Sequence, residues 1–290
     1  MTAGVIDVGS NTVRVVVIRD GHELVSRREM LRLGASIECY GRVPPARLDE
    51  VAAVVERFAD EARGAGAYDL QILITSPGRQ AANGAELAEV LERAGRCETR
   101  ILSAVEEGLL AFKGALQVAS PPSRRLVAVV DVGGGSAQVV VGTPRSGALW
   151  ARSVDIGSQR LTSRLLDVDP PGKNAVAAAR AEVDGYLTAF EPPVPMSAFA
   201  VGGSARALRR LAGRRLDEQN LEELIALLST TSRKRLIDEH DVDPERVRTM
   251  TAGAIILAAL QRRLDTPLKV VRAGLREGAL AELAAARAAA

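Results

Sequence analysis

The chain has 290 residues, 47% hydrophobic and 26% charged, and its 38 basic and 36 acidic side chains leave a formal charge of only +2. That composition excludes a disordered protein, and the near-cancelling charge argues against a protein built to coat nucleic acid or an acidic membrane. No apolar run reaches the ~18 residues that cross a bilayer, and Cys39 and Cys97 have neither disulfide nor zinc-site spacing, so the expectation is a cytoplasmic protein of two domains with no nucleic-acid or membrane partner.

Residues 4–8 and 13–18 read as strands joined by the polar turn Gly9-Ser10-Asn11-Thr12, with a third strand at Glu23–Arg28. Leu48, Val51, Val54, Val55, Phe58 and Ala62 fall at helical spacing and predict an amphipathic helix over Pro44–Gly64. A short strand, Leu70–Ile74, leads into "TSPGRQ", which reads as a turn, and a helix follows at Ala85–Ala94. Thr99–Leu102 is another strand and Glu106–Leu116 a helix. Prolines and serines replace periodic apolar residues in Gln117–Arg125, which predicts a division into domains 1–118 and 119–290, with the last helix free to pack back on the first domain.

Strands are then expected at Leu126–Val130, Ala137–Val141 and Ala148–Val154, and helices at Gln159–Leu166 and Asn174–Phe190. Ala198–Val201 is a strand ending in "GGSARAL", and helical material dominates from Leu216 to Arg263. A final strand, Leu268–Val271, precedes an "AGLREG" turn and an alanine-rich helix.

The stretch "VIDVGSNTVRVVVI" at 5–18 is echoed by "VVDVGGGSAQVVVG" at 129–142. Each has an apolar strand, an aspartate, a small-residue turn and a returning strand, so a duplicated α/β domain with both turns at a shared cleft is the economical expectation. Successive glycines present several backbone N–H groups to one concave site, which favours an anion. Phosphate is the expected guest, and a divalent cation would account for the adjacent carboxylates. A hairpin without ligand is the alternative for either turn alone. Neither turn has the GK[ST] of a P-loop, nor the helix that must follow the glycines of a dinucleotide fingerprint.

These paired motifs, with "VGGSARAL" at 201–208, "GLREGAL" at 274–280, "RLG" at 32–34, "SPGRQAAN" at 76–83 and "ILSAVEEGLLAFKGA" at 101–115, resemble the exopolyphosphatase/guanosine pentaphosphate phosphatase family. The resemblance spans nearly the whole chain. It implies two duplicated ribonuclease-H-like domains of the actin-like ATPase superfamily, with an interdomain cleft. It also implies hydrolysis of terminal phosphate from inorganic polyphosphate or guanosine pentaphosphate with Mg²⁺ or another divalent cation, and polyphosphate or guanosine penta- or tetraphosphate as the bound partner. By motif position Glu107 is the catalytic base that directs water, though a glutamate in the first turn of a helix also suits the helix dipole. Ser10, Asn11, Thr12, Arg79, Gly133, Gly134, Gly135, Ser136, Gly202, Gly203 and Ser204 are expected to bind phosphate. Asp131 and Asp7 are expected to hold the cation, or to cap their turns. Arg276 is expected either at the site or in a structural pair with a carboxylate that anchors the last helix.

The departures are as informative. Gln138 stands where the family has a glutamate, Ser103-Ala104 replaces a serine-glycine step, and Pro77-Gly78 replaces an alanine- or leucine-like pair. Gln138 cannot take a proton, so a weakened enzyme, or a sensor that binds polyphosphate or alarmone without hydrolysis, is the second expectation. A kinase or ATPase of the same superfamily is the third, and a homodimer is left open.

Overall fold

Valine alternation sets the first sheet. Val13, Val15 and Val17 of β2 (Thr12–Arg19) are buried, and β1 (Thr2–Val8) buries Val5, Ile6 and Val8 completely, as a strand covered on both faces should. β2 pairs antiparallel with β1 and with β3 (His22–Met30), placing Arg14 between Asp7 and Arg28. On the other side β4 (Asp69–Ile74) lies parallel to β1, and β5 (Thr99–Ile101) parallel to β4, for an order β3-β2-β1-β4-β5. The computed structural model describes residues 2–288.

Between β3 and β5 four helices accompany this sheet. α2 (Pro45–Gly64) starts with proline in its first turn, where the missing N–H costs nothing, and buries the predicted stripe from Leu48 to Ala62. α4 (Gly84–Gly95) buries Leu87 and Leu91. Two helices differ from the sequence expectation. α1 (Leu33–Tyr40) was not foreseen, because its start is the left-handed Arg32 and not a capping side chain. The expected "TSPGRQ" turn is the short helix α3 (Ser76–Gln80), since Pro77 sits in a first turn that tolerates it.

The second sheet contains β6 (Val127–Val132), β7 (Ala137–Thr143), β8 (Gly147–Val154), β9 (Ser197–Val201), β10 (Arg215–Leu216) and β11 (Leu268–Val270), in the order β10-β11-β9-β6-β7-β8. Read as β8-β7-β6-β9-β11, it repeats the antiparallel and parallel pairings of the first sheet, with β10 added as an antiparallel edge. The fold is therefore the duplicated ribonuclease-H-like α/β arrangement. α5 (Ala104–Ala119) packs Phe112 and Ala115 on one face of this sheet, against Val127, Val129, Phe199 and Val201. The other face is covered by α6 (Ser158–Leu165), α7 (Gly172–Tyr186), α8 (Gly202–Ala212), α9 (Glu218–Thr230), α10 (Arg233–His240) and α11 (Val247–Leu264). α11 is buried nearly all round, as a central helix must be. α7 ends at Tyr186, short of the expected Phe190. The expected "AGLREG" turn stops at Gly274, and α12 (Leu275–Ala288) already includes Arg276.

By contact the chain forms two units, one from the residues up to Glu107 together with those from Arg276 on, the other from Gly108–Leu275. The chain leaves the first unit in the first turn of α5, whereas the 118/119 division expected from composition falls at the far end of the same helix. It returns at the start of α12.

The start of α5 is fixed by a capping box. Ser103 N–H donates to Glu106 Oε2 at 2.8 Å, and Glu106 N–H donates to Ser103 Oγ at 3.2 Å. These bonds, with Arg100 beside them, hold the Glu106 carboxyl below its ordinary value of 4.5. A lowered folded-state value means that its contribution to stability is present above about pH 4.5 and lost as the pH falls further. Ser103→Ala is expected to cost ~0.5–2 kcal/mol at neutral pH, with the gap to wild type narrowing in acid. Urea midpoints at neutral and acid pH check this. A gap that widens in acid would contradict the cap.

Candidate active site

The two turns share one main-chain geometry. Gly9 N–H donates to Thr12 O and Gly133 N–H to Ser136 O, each at 3.0 Å. The carbonyls inside each turn then meet the next helix. Ser10 O accepts from Gly34 N–H at 2.8 Å at the start of α1, and Asn11 O accepts from the N–H groups of Leu31 and Arg32. Gly134 O accepts from Gln159 N–H at 2.9 Å at the start of α6, and Gly133 O accepts from Ser158 N–H. A trans peptide carries its N–H antiparallel to its C=O, so pinning these carbonyls turns the N–H groups of Asn11, Gly134 and Gly135 away from the capping helices.

Two glycines are required by close approach. A Cβ on Gly34 would lie 2.9 Å from Ser10 Cβ, and one on Gly157 would overlap the Gly134 main chain. This explains the "RLG" motif: its glycine lets α1 seat on the first turn. Ser10 is further tied to α3 by a 2.7 Å contact between its Oγ and that of Ser76. Asn11 is buried, and its Oδ1 has no hydrogen-bond partner.

Glu107, next after the capping glutamate, is 7% exposed. Arg79 of α3 reaches it, Nη2 donating to Glu107 Oε2 at 2.8 Å while Nη1 donates to Leu102 O at 2.7 Å. The first unit therefore brings together an expected base and an expected phosphate-binding arginine. It likewise pairs Asp7 with Arg276, whose Nη1 donates to Asp7 Oδ2 at 3.2 Å. Burial pushes the Asp7 carboxyl above its ordinary value, against the opposing pull of Arg276 and Arg14.

In the second unit Asp131 Oδ1 lies against Gly202, where φ is +82° and a Cβ would overlap the carboxylate. Gly202 thus needs to be glycine for conformation and for space. Its neighbour Gly203 is covered by the Arg246 guanidinium, and Ser204 packs on Gly253 of α11. Gln138 is buried against Gly108 of α5. Its Nε2 donates to Ser136 Oγ at 2.9 Å and Ser153 Oγ at 3.2 Å, while Oε1 has no partner. Ser153 spends its own hydroxyl proton on Ala137 O, so the amide must present its NH₂ to this pair.

Arg14 and Arg28 were not singled out in the sequence. With Val16, Ser26, Arg27 and Arg276 they line a cavity of about 190 Å³ in the first unit. The available signal was the even spacing in β2, which places Arg14 and Val16 on one strand face.

Among the described residues no three His, Cys, Asp or Glu side chains form a metal cluster. Magnesium does not need one, because it is commonly held by one or two carboxylates plus phosphate oxygens and water. Asp131, at a strand end beside the second turn, fits that donor set. In the first unit Asp7 is already held by Arg276, and Asn11 Oδ1 is without a partner.

Residues 14–286 match the model of the Ppx/GppA phosphatase family. Exopolyphosphatase 1 of Mycobacterium bovis is 29% identical over 300 residues, covering 96% of this chain and 87% of that protein. A guanosine-5'-triphosphate,3'-diphosphate pyrophosphatase of Pseudoalteromonas translucida is 24% identical over 96% of this chain but only 57% of its own length. The crystal structure of the Aquifex aeolicus family member covers 99% of this chain and 98% of its own, with a TM-score of 0.83 at 23% identity, a likeness of fold. With the family model matched over nearly the whole chain and both turns built alike, this protein belongs to the Ppx/GppA phosphatase family.

Proposed function

We propose that the protein hydrolyses the terminal phosphoanhydride of inorganic polyphosphate, and of guanosine pentaphosphate, with Glu107 directing the water. The observation that carries this reading is the buried Glu107–Arg79 pair at the capped start of α5. The names of the relatives give the substrate class. A water oxygen bonds to the terminal phosphorus, the bridging P–O bond breaks, and the water proton passes to Glu107 as the shortened chain leaves with the bridging oxygen.

Without substrate the Arg79 guanidinium is bonded to the carboxylate that must act as base. Incoming phosphoryl oxygens compete for the same planar fork. Transfer of Nη2 from Glu107 to phosphate would do two things in one step: bind the anion, and release the carboxylate oxygen to the water. The outward N–H groups of the first turn add further donors. In the second unit Asp131, beside its own glycine turn, would hold a magnesium ion, which supplies charge neutralisation for phosphate when bound.

Gln138 favours a second reading, a binder that has lost hydrolysis, because a buried amide cannot accept a proton where the family has a carboxylate. Orthophosphate release from tripolyphosphate, long-chain polyphosphate and guanosine pentaphosphate, with and without magnesium, separates the two. Glu107→Gln is expected to lower kcat by roughly 10²–10⁴, with tripolyphosphate still raising the thermal midpoint. Equal rates in wild type and Glu107→Gln would reject the enzyme reading and leave the binder. Arg79→Ala removes a charge-assisted hydrogen bond worth ~1.5–3 kcal/mol, so kcat/KM for tripolyphosphate is expected to fall about 10- to 100-fold, with part restored by Arg79→Lys. Steady-state kinetics of the three forms check this, and an unchanged kcat/KM in Arg79→Ala would remove Arg79 from the mechanism.

A further inference from the structure

From Gly202 to Leu216 the chain carries five arginines, Arg206, Arg209, Arg210, Arg214 and Arg215, and no acidic residue. The fold sets this run beside two more cations, Lys269 and Arg272. Val270 N–H donates to Arg214 O at 2.8 Å, Arg215 stands opposite Lys269 on the β10–β11 ladder, and Arg206 Nη1 reaches Arg272 O at 3.5 Å. Like charges directly opposite on a ladder are unfavourable. Acidic residues relieve only part of the row, Asp241 pairing with Arg210 and Asp217 lying 3.5 Å from Arg215. Among the described residues no carboxylate pairs with Arg209, Arg214, Lys269 or Arg272.

The row has a direction. β11 runs parallel to β9 with Val270 beside Ala200, and Val271 N–H donates to Ala200 O at 3.0 Å. Arg272 is therefore level with the step from Val201 to Gly202, where α8 begins, and Lys269 lies roughly 10 Å of extended chain behind it. The cations lead away from the glycine turn at the head of α8 to the outer edge of the sheet.

We propose that this β10–β11 edge is a rail for the distal part of an extended polyphosphate chain, with Arg272, Arg214 and Lys269 as its contacts. The assignment rests on the proposed polyphosphate substrate and extends it beyond the terminal phosphates. The rail segments, 202–216 and 268–275, contain no aromatic residue. Single-stranded nucleic acid is gripped by base stacking as well as charge, so a chain of bare phosphates is the better match.

The test uses long-chain polyphosphate capped by a label at both ends, which offers no terminal phosphoryl group to hydrolyse and reads the rail alone. Fluorescence anisotropy over a range of salt is expected to show binding to the full-length protein. In Arg214→Ala/Lys269→Ala the affinity should fall about tenfold or more, and the slope of log K against log salt should lose about 0.7–0.9 per cation removed. Arg214→Lys should keep the slope. Both side chains are exposed, and equal thermal midpoints verify folding. Unchanged affinity and slope in the double variant would overturn the rail, leaving these cations as guards of a sheet edge against pairing. So would failure of the wild type to bind the capped chain, or tighter binding of a single-stranded oligonucleotide of equal charge. Capped-chain binding without tripolyphosphate hydrolysis would spare the rail and sink the enzyme reading, and the reverse result would do the opposite.

Discussion

The planarity of the peptide bond governs what the two turns can do. Each turn closes with one N–H to C=O bond across four residues, Gly9 to Thr12 and Gly133 to Ser136, and each offers its inner carbonyls to the first turn of a helix. A helix start needs acceptors for its orphan N–H groups, and here the turn supplies them. Because the peptide is rigid, satisfying the helix aims the opposite ends of the same peptides outward. Outward-facing amides are thus a by-product of capping α1 and α6. This also explains why glycine is needed on the helix side as well as in the turn: Gly34 and Gly157 allow the close approach that makes the capping bonds short.

The charged groups of the first unit follow from the same enclosure. A buried carboxylate without a partner is costly, and a buried guanidinium equally so. Glu107 and Arg79 solve this for one another, as do Asp7 and Arg276. For Asp7 the solution is incomplete, since burial still outweighs its arginines and leaves the carboxyl easier to protonate than usual. Pairs of this kind are exchangeable in a way that apolar packing is not. A phosphate oxygen can replace the carboxylate on the guanidinium without leaving either charge unpaired, provided that the displaced carboxylate acquires a proton, a water or a cation.

Much of this was legible in the sequence, and the reasons for the exceptions are physical. The echo of Asp7 to Thr12 in Asp131 to Ser136 announced the duplication, because strand, carboxylate and turn recur in residue types that only a hairpin would use. The stripe from Leu48 to Ala62 predicted α2 for the same kind of reason. α1 was hidden because Arg32 takes a left-handed conformation with no capping side chain, and the glycine in "RLG" reads as a helix breaker until its contact with Ser10 is known. α3 was hidden because proline followed by glycine usually marks a turn. The exchange of units in the first turns of α5 and α12 leaves no trace in composition, since a helix continues through each. Adjacent Glu106 and Glu107 could be told apart by spacing alone: Ser103 and Glu106 have the three-residue interval of a capping box, which leaves Glu107 for the buried face.

The second unit repeats the first in its main chain but not in its charges. Where Asp7 has Arg276 against it, Asp131 lies against the bare Cα of Gly202. Gln138 continues the difference. Ser153 donates to Ala137 O, which obliges the amide to give its N–H groups to both serines; Ser136, having accepted one, has its own proton to direct elsewhere. A glutamate at that position would reverse the polarity, drawing the Ser136 proton to itself and adding a negative charge beside the glycine turn. With glutamine the serine is kept as a donor and no second negative charge joins Asp131 beside the turn. A turn without that added charge opposes an arriving polyanion less, and needs fewer cations to offset it. The duplicated halves therefore share a scaffold for presenting amides, and in the second the uncharged Gln138 side chain lies beside the glycine turn.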